Sequence, residues 1–230
     1  MVEGLTASAN VTDARTVRRP VVLTIAVAVL GSTTAAAALP RYEGSVSRLD
    51  DELRAEMTGS SWRSGCPVPL RELRLVRITY VGFDAEAHRG RLVVHRRWAS
   101  EMLEVFGRIY SRGFPIRRVR LVDRYEADDQ ASMRADNTSA FNCRYVAGTT
   151  TWSRHAFGAA IDVNPVENPY VSESHVSPPN GETYADRSKV RPGMIAARDV
   201  VWRAFRSIGW EWGGSWSEVQ DYQHFSSDGR

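Results

Sequence analysis

The sequence has almost no lysine. Lys189 stands alone beside 29 arginines in a total of 30 basic residues, and 27 acidic residues leave a formal charge of only +3. So small an excess, with no basic stripe interleaved with stacking aromatics, argues against nucleic acid as a partner. A long hydrophobic run is also missing. The longest, "VVLTIAVAVL" at 21–30, is half of the ~20 residues that a helix needs to cross a bilayer core, so no permanent membrane span is expected. There are no internal repeats and no low-complexity tracts. Cysteine occurs only twice, at Cys66 and Cys143.

Arg15, Arg18 and Arg19 precede the apolar run, and "GSTTAAAA" follows it. That order predicts a secretory signal peptide over residues 1–38, cleaved near Ala37 or Ala38, and hence a secreted protein. Arg18-Arg19 lacks the flanking residues usual for twin-arginine export. About 190 residues remain, enough for one domain with a substantial core. Outside the cytosol two cysteines tend to pair, so Cys66 and Cys143 are expected to form a structural disulfide, with two free thiols as the alternative. Closing so long a loop stabilises by roughly 4 kcal/mol on the chain-entropy view.

Residues 45–59, "SVSRLDDELRAEMTG", space Leu49, Leu53 and Met57 four apart and predict a short amphipathic helix. Together with a Pro-marked turn it makes an N-terminal helix and linker over 39–69. An alternating strand is expected around 73–80, a second one, "RLVVH", at 91–95 after a Gly90 turn, and a core helix at 97–110. "IRRVRLVD" at 116–123 alternates as another strand. Residues 125–144 lack a helical period and are a candidate site rim. Residues 165–193, rich in Pro, Ser and Gly, read as a long surface loop, and 194–208 as a last helix stopped by Gly209. The mixture has no βαβ rhythm. The class is therefore α+β, with a mostly antiparallel sheet and flanking helices.

"SRHAFGAAIDVNP" at 153–165 carries the first chemistry. If "AAIDV" is a strand, Ala160, Asp162 and Asn164 share one face and Ile161 and Val163 the other. His155 precedes a bend at Gly158 that can return its imidazole toward Asp162, and small residues leave room for an ion. A histidine merely hydrogen-bonded to an aspartate explains that stretch nearly as well. "GWEWGGSWSEVQDYQHFSSDGR" at 209–230 adds His224, three residues after Asp221. Two histidines and one aspartate suit a catalytic zinc with one coordination position left for water. A second carboxylate beside the ion, Asp221, can then act as general base.

Ser153, His155, Gly158, Ala160 and Asp162, followed by Trp212-Gly213-Gly214, Trp216 and Asp221-Tyr222-Gln223-His224-Phe225, resemble the zinc D-alanyl-D-alanine carboxypeptidases and L-alanyl-D-glutamate peptidases of bacterial cell-wall metabolism. The resemblance covers roughly residues 70–226 and makes 70–230 the expected peptidase domain. It implies the compact fold shared with lysostaphin-like and hedgehog-type domains. It also implies Zn2+ held by His155, Asp162 and His224, Asp221 as base, and an arginine that polarises the scissile carbonyl. "TSAFNCR" resembles the segment before that arginine, which selects Arg144, with Arg134 in reserve. A guanidinium stays ionised and offers a fork of donors to a developing oxyanion; an ion-pairing surface residue is the alternative.

The implied substrate is a peptidoglycan stem peptide or muropeptide, met by a monomer in the cell wall. Family members that trim terminal D-Ala-D-Ala tend to carry Glu where this chain has Asp221, which leans toward the L-alanyl-D-glutamate activity. Ser153 and Trp216 are further candidates at the site, Ser153 in shaping the turn or meeting substrate and Trp216 as a wall that touches it. Asn164 is expected to orient a ligand. His88, His95 and His175 are expected to be surface or packing residues, although His175 lies in the long loop and could touch substrate. A zinc-containing wall-binding protein without turnover is the rival reading, because the hedgehog-type relatives keep the metal while serving in binding.

Overall fold

A computed structural model describes residues 1–4, 8 and 39–229. The expected signal peptide falls almost wholly outside them. The chain divides into Met1–Ala37 and Ala38–Arg230, and every element below belongs to the second unit. Among the described residues no helix is long and apolar enough to cross a membrane.

The class is α+β, but three small antiparallel sheets replace the single sheet expected. The first is built from β1 (Gly44–Arg48), β2 (Leu73–Val81) and β3 (Ala87–His95) in that order. Residues 45–59 are therefore not one helix. Their first part pairs with β2, Ser45 opposite Arg77, and helix α1 starts only at Asp51, where the Asp50 carboxylate accepts from the Leu53 amide at 2.9 Å. Nor is Gly90 a turn. It lies inside β3, where a Cβ would sit 2.5 Å from Cβ of Val119, and the reversal occurs at residues 82–86.

Period-2 alternation gives this sheet two buried faces. Val76, Ile78, Leu92 and Val94 meet α2 (Ala99–Ser111) through Met102, Val105, Phe106 and Ile109. On the other side Leu73, Leu75 and Val93 meet Leu53 and Met57 of α1 (Asp51–Met57). Residues 116–123 do not form the expected strand. Two of their backbone donors go to side chains, Arg117 N to Asn164 and Arg120 N to Asn137, and main-chain pairing stops at an isolated bridge between Val119 and Thr138. A short helix, α3 (Asp129–Arg134), interrupts the irregular stretch after it.

β4 (Ala160–Asp162) joins β7 (Glu211–Trp212) and β9 (His224–Ser226) in the order β4–β9–β7. The expected long loop supplies β5 (Tyr170–Ser172) and β6 (His175–Ser177), which with β8 (Gln220–Asp221) form the sheet β6–β5–β8. The last helix, α4, is shorter than its apolar spacing suggests. It covers Val200–Arg206 because Asp199 caps it, accepting from the Trp202 amide at 2.8 Å. Only Tyr222 and Gln223 separate β8 from β9, so the second and third sheets meet at the residues next described.

Candidate metal centre

The turn before β4 fixes the first histidine. Ser153 opens a 3-10 turn, Arg154–Phe157, by accepting from the His155 amide at 3.3 Å, and Gly158 closes it with φ +60°. Glycine is required there twice over, by the left-handed backbone and because a Cβ would stand 2.5 Å from the His95 amide nitrogen. His155 Nδ1 meets the Ala140 carbonyl at 2.5 Å. A carbonyl only accepts, so Nδ1 carries the proton and Nε2 presents its lone pair inward.

Pairing of β4 with β9 sets Asp162 opposite His224. Asp162 Oδ1 lies 3.0 Å from His224 Nδ1, Asp162 Oδ2 lies 3.1 Å from His155 Nε2, and the two ring nitrogens are 3.3 Å apart. All three residues are buried. Those separations match the edge of a tetrahedron, ~3.3 Å, around a cation whose ligands lie at ~2.0 Å. The donor set, two imidazoles and a carboxylate, therefore fits zinc in both chemistry and spacing. Burial tends to raise the Asp162 carboxyl, but the adjacent His155 and His224 outweigh it and hold the group well below the usual carboxylate range.

Asp221 shares the cleft with these three. Burial, reinforced by the Asp162 charge against the opposing pull of the histidines, pushes its carboxyl up to about 6. Its Oδ1 is buried without a hydrogen-bond partner among the described residues. The backbone comes close at this point: a Cβ on Gly213 would lie 2.7 Å from the Asp221 carbonyl oxygen, which explains a glycine in "WGGSW". Trp216 forms a wall, its ring 5.7 Å from that of His224. Trp210 is wholly buried core.

The cleft, about 540 Å³, also takes in Ser153, Arg144 and His175. Arg144 extends from a position next to the Cys66–Cys143 disulfide and pairs with Asp129 of α3 at 2.9 Å. Arg134, at the end of α3, is exposed and does not line the cleft. Asn164 does not reach the ligands. Its side chain donates to the Pro115 and Gly193 carbonyls and accepts from the Arg117 amide, tying down the loop instead. The irregular stretch 125–144 does supply rim, through Asp129, Gln130, Met133 and Arg144.

Tyr170, Gln223 and the ion pair Arg154–Asp228 line the cleft as well; Gln223 belongs to the motif around His224, whereas Tyr170 and Asp228 carry no local signal. Arg154 had one available signal, its place beside His155. His88 bonds Asp84 on the surface, and His95 lies outside the cleft.

Residues 147–227 match the family model described as D-alanyl-D-alanine carboxypeptidase. No match was found among curated proteins or among solved structures. The matched stretch contains His155, Asp162, His224 and Asp221, and over it the chain is similar to that peptidase family.

Proposed function

We propose that the protein is a secreted zinc metallopeptidase that hydrolyses peptide bonds in peptidoglycan stem peptides. His155, Asp162 and His224 would hold the ion. Bound there, zinc would acidify a water molecule and polarise the scissile carbonyl. The observation that carries the reading is the set of 3.0, 3.1 and 3.3 Å separations among the three donors, in a cleft that also contains Asp221.

Asp221 takes the proton from the attacking water and returns it to the leaving amine. An acid whose pKa is raised to about 6 is ionised at neutral pH yet basic enough for this exchange. Arg144 offers its guanidinium to the developing oxyanion while Asp129 holds the other side of the fork. Trp216 restricts water around the ligands, and Ser153 keeps the His155 turn in place. Aspartate rather than glutamate at 221 favours the L-Ala-D-Glu bond over terminal D-Ala-D-Ala.

Mass spectrometry of muropeptides digested with the zinc-loaded protein, beside Asp221→Ala, tests the reading. Release of a peptide that begins at D-Glu, with L-Ala left on the muramic acid, or loss of a mass corresponding to terminal D-Ala, identifies the bond. Equal release by the substituted protein rejects Asp221 as base. A zinc-loaded wild type that releases nothing favours a wall-binding protein without turnover.

A further inference from the structure

Away from the cleft, the exposed end of the β1–β2–β3 sheet carries three arginines with little to neutralise them. Antiparallel register puts Arg77 directly opposite Arg91, and Arg89 opposite Thr79, so all three side chains leave the same face. Each is exposed. Like charges on directly paired positions destabilise a sheet. Only Arg89 is compensated, by Glu43; Arg77 donates to the Ser47 hydroxyl at 3.1 Å, and among the described residues no carboxylate lies in ion-pairing reach of Arg77 or Arg91. Arg120, also exposed, follows Val119, whose carbonyl accepts from the Arg91 amide along the outer edge of β3.

A hollow of about 470 Å³ opens between these arginines, lined also by Gly44, Ser45, Ile78, Gly90 and Glu43, whose carboxylate is engaged by Arg89. We propose that this face binds an extended polyphosphate chain. The guanidinium fork matches phosphate oxygens two at a time. Roots spaced ~5 Å across strands and ~7 Å along them suit successive charges on an extended chain better than one isolated ion. Single-stranded nucleic acid is the poorer match, because it is held by stacking as well as charge and no aromatic residue lines the hollow.

Long-chain inorganic polyphosphate is the probe, titrated into the full chain between 50 and 300 mM salt, concentrations chosen so that counterion release is visible. Wild type should bind, and Arg77→Gln/Arg91→Gln should bind at least about tenfold more weakly, with a slope of log K against log salt shallower by more than about one. Arg108→Gln/Arg112→Gln, the same charge change at the C-terminal end of α2, should match wild type. The single Arg91→Gln should fall between, and because all these side chains are exposed the variants should melt no lower than wild type. No binding by wild type, or equal weakening in both double variants, overturns the proposal. Tighter binding of oligo-dT at matched salt, lost in the same double variant, replaces polyphosphate with nucleic acid.

Discussion

Asp162 and His224 are cross-strand partners. Sixty-two residues apart in sequence, they stand opposite each other on β4 and β9, with Oδ1 and Nδ1 3.0 Å apart. The ladder that positions one therefore positions the other, and His155 is brought to the same point by a three-residue-per-turn helix closed at Gly158. Such a site is held by backbone pairing and needs little rearrangement to receive a cation.

Wild type should take up one zinc per chain, and Asp162→Ala or His224→Ala should abolish stoichiometric uptake, read by elemental analysis after dialysis. Chelation should lower Tm. At a free metal concentration a thousandfold above Kd the lost stabilisation is about 4 kcal/mol, or ~10 °C for a domain of this size. An unchanged melting curve with and without metal would rule out binding at the buried triad.

Asp221→Asn should retain zinc and lose about 10²- to 10⁴-fold in kcat. A base works only when ionised, so wild-type kcat/KM should fall as pH drops through the carboxyl's pKa. That value is about 6 without a cation, and a neighbouring positive charge lowers it, placing the acid limb at or below pH 6. The limb should be absent from the residual activity of the substituted protein.

Glu167 is buried beside Asp136, with Arg117 reaching both, at 3.3 Å to Glu167 and 3.4 Å to Asp136. Burial, then the hydrogen bond and charge of Asp136, pushes its carboxyl up to about 8 from an ordinary 4.5. Between those two values the folded chain holds a proton that the unfolded chain has released, so stability from this group is full below about 4.5 and declines as pH rises to about 8. Glu167→Gln should remove that decline. At pH 9 it should melt higher than wild type, by on the order of 5 °C, and at pH 4.5 the two should nearly coincide.

The disulfide links Cys66 to Cys143 across 77 residues. Replacing both with serine should cost about 4 kcal/mol on the chain-entropy view, a fall in Tm of ~10 °C. Arg144 follows Cys143 directly, and Arg63 donates to the Cys143 carbonyl at 2.7 Å. The same substitution should therefore lower kcat more than zinc affinity, a split that titration and turnover assays separate.

Legibility differed by element. The core helix at 97–110 and the strand at 73–80 were readable because their apolar spacing matches one period throughout, and they form as α2 and β2. The helix expected over 45–59 failed where Ser45 and Ser47 found partners on β2, a pairing that local spacing cannot display. The strand expected at 116–123 failed where distant Asn164 and Asn137 take two of its backbone donors. Among site candidates, Asn164 sat on the right face of an assumed strand but at φ +46° just beyond β4, where it turns to the loop.

By itself the sequence narrowed which groups could do chemistry: two histidines and two aspartates in two short motifs, two cysteines and, through the resemblance, an arginine at 144 or 134. Residue type and near-neighbour spacing are local properties, so they survive without a fold. Only the tertiary structure decided that Asp162 faces His224, that Arg144 leans on Asp129, and that three arginines crowd one end of a sheet. Those relationships depend on strand register and on which backbone donors are already satisfied, and both are set by contacts between residues far apart along the chain.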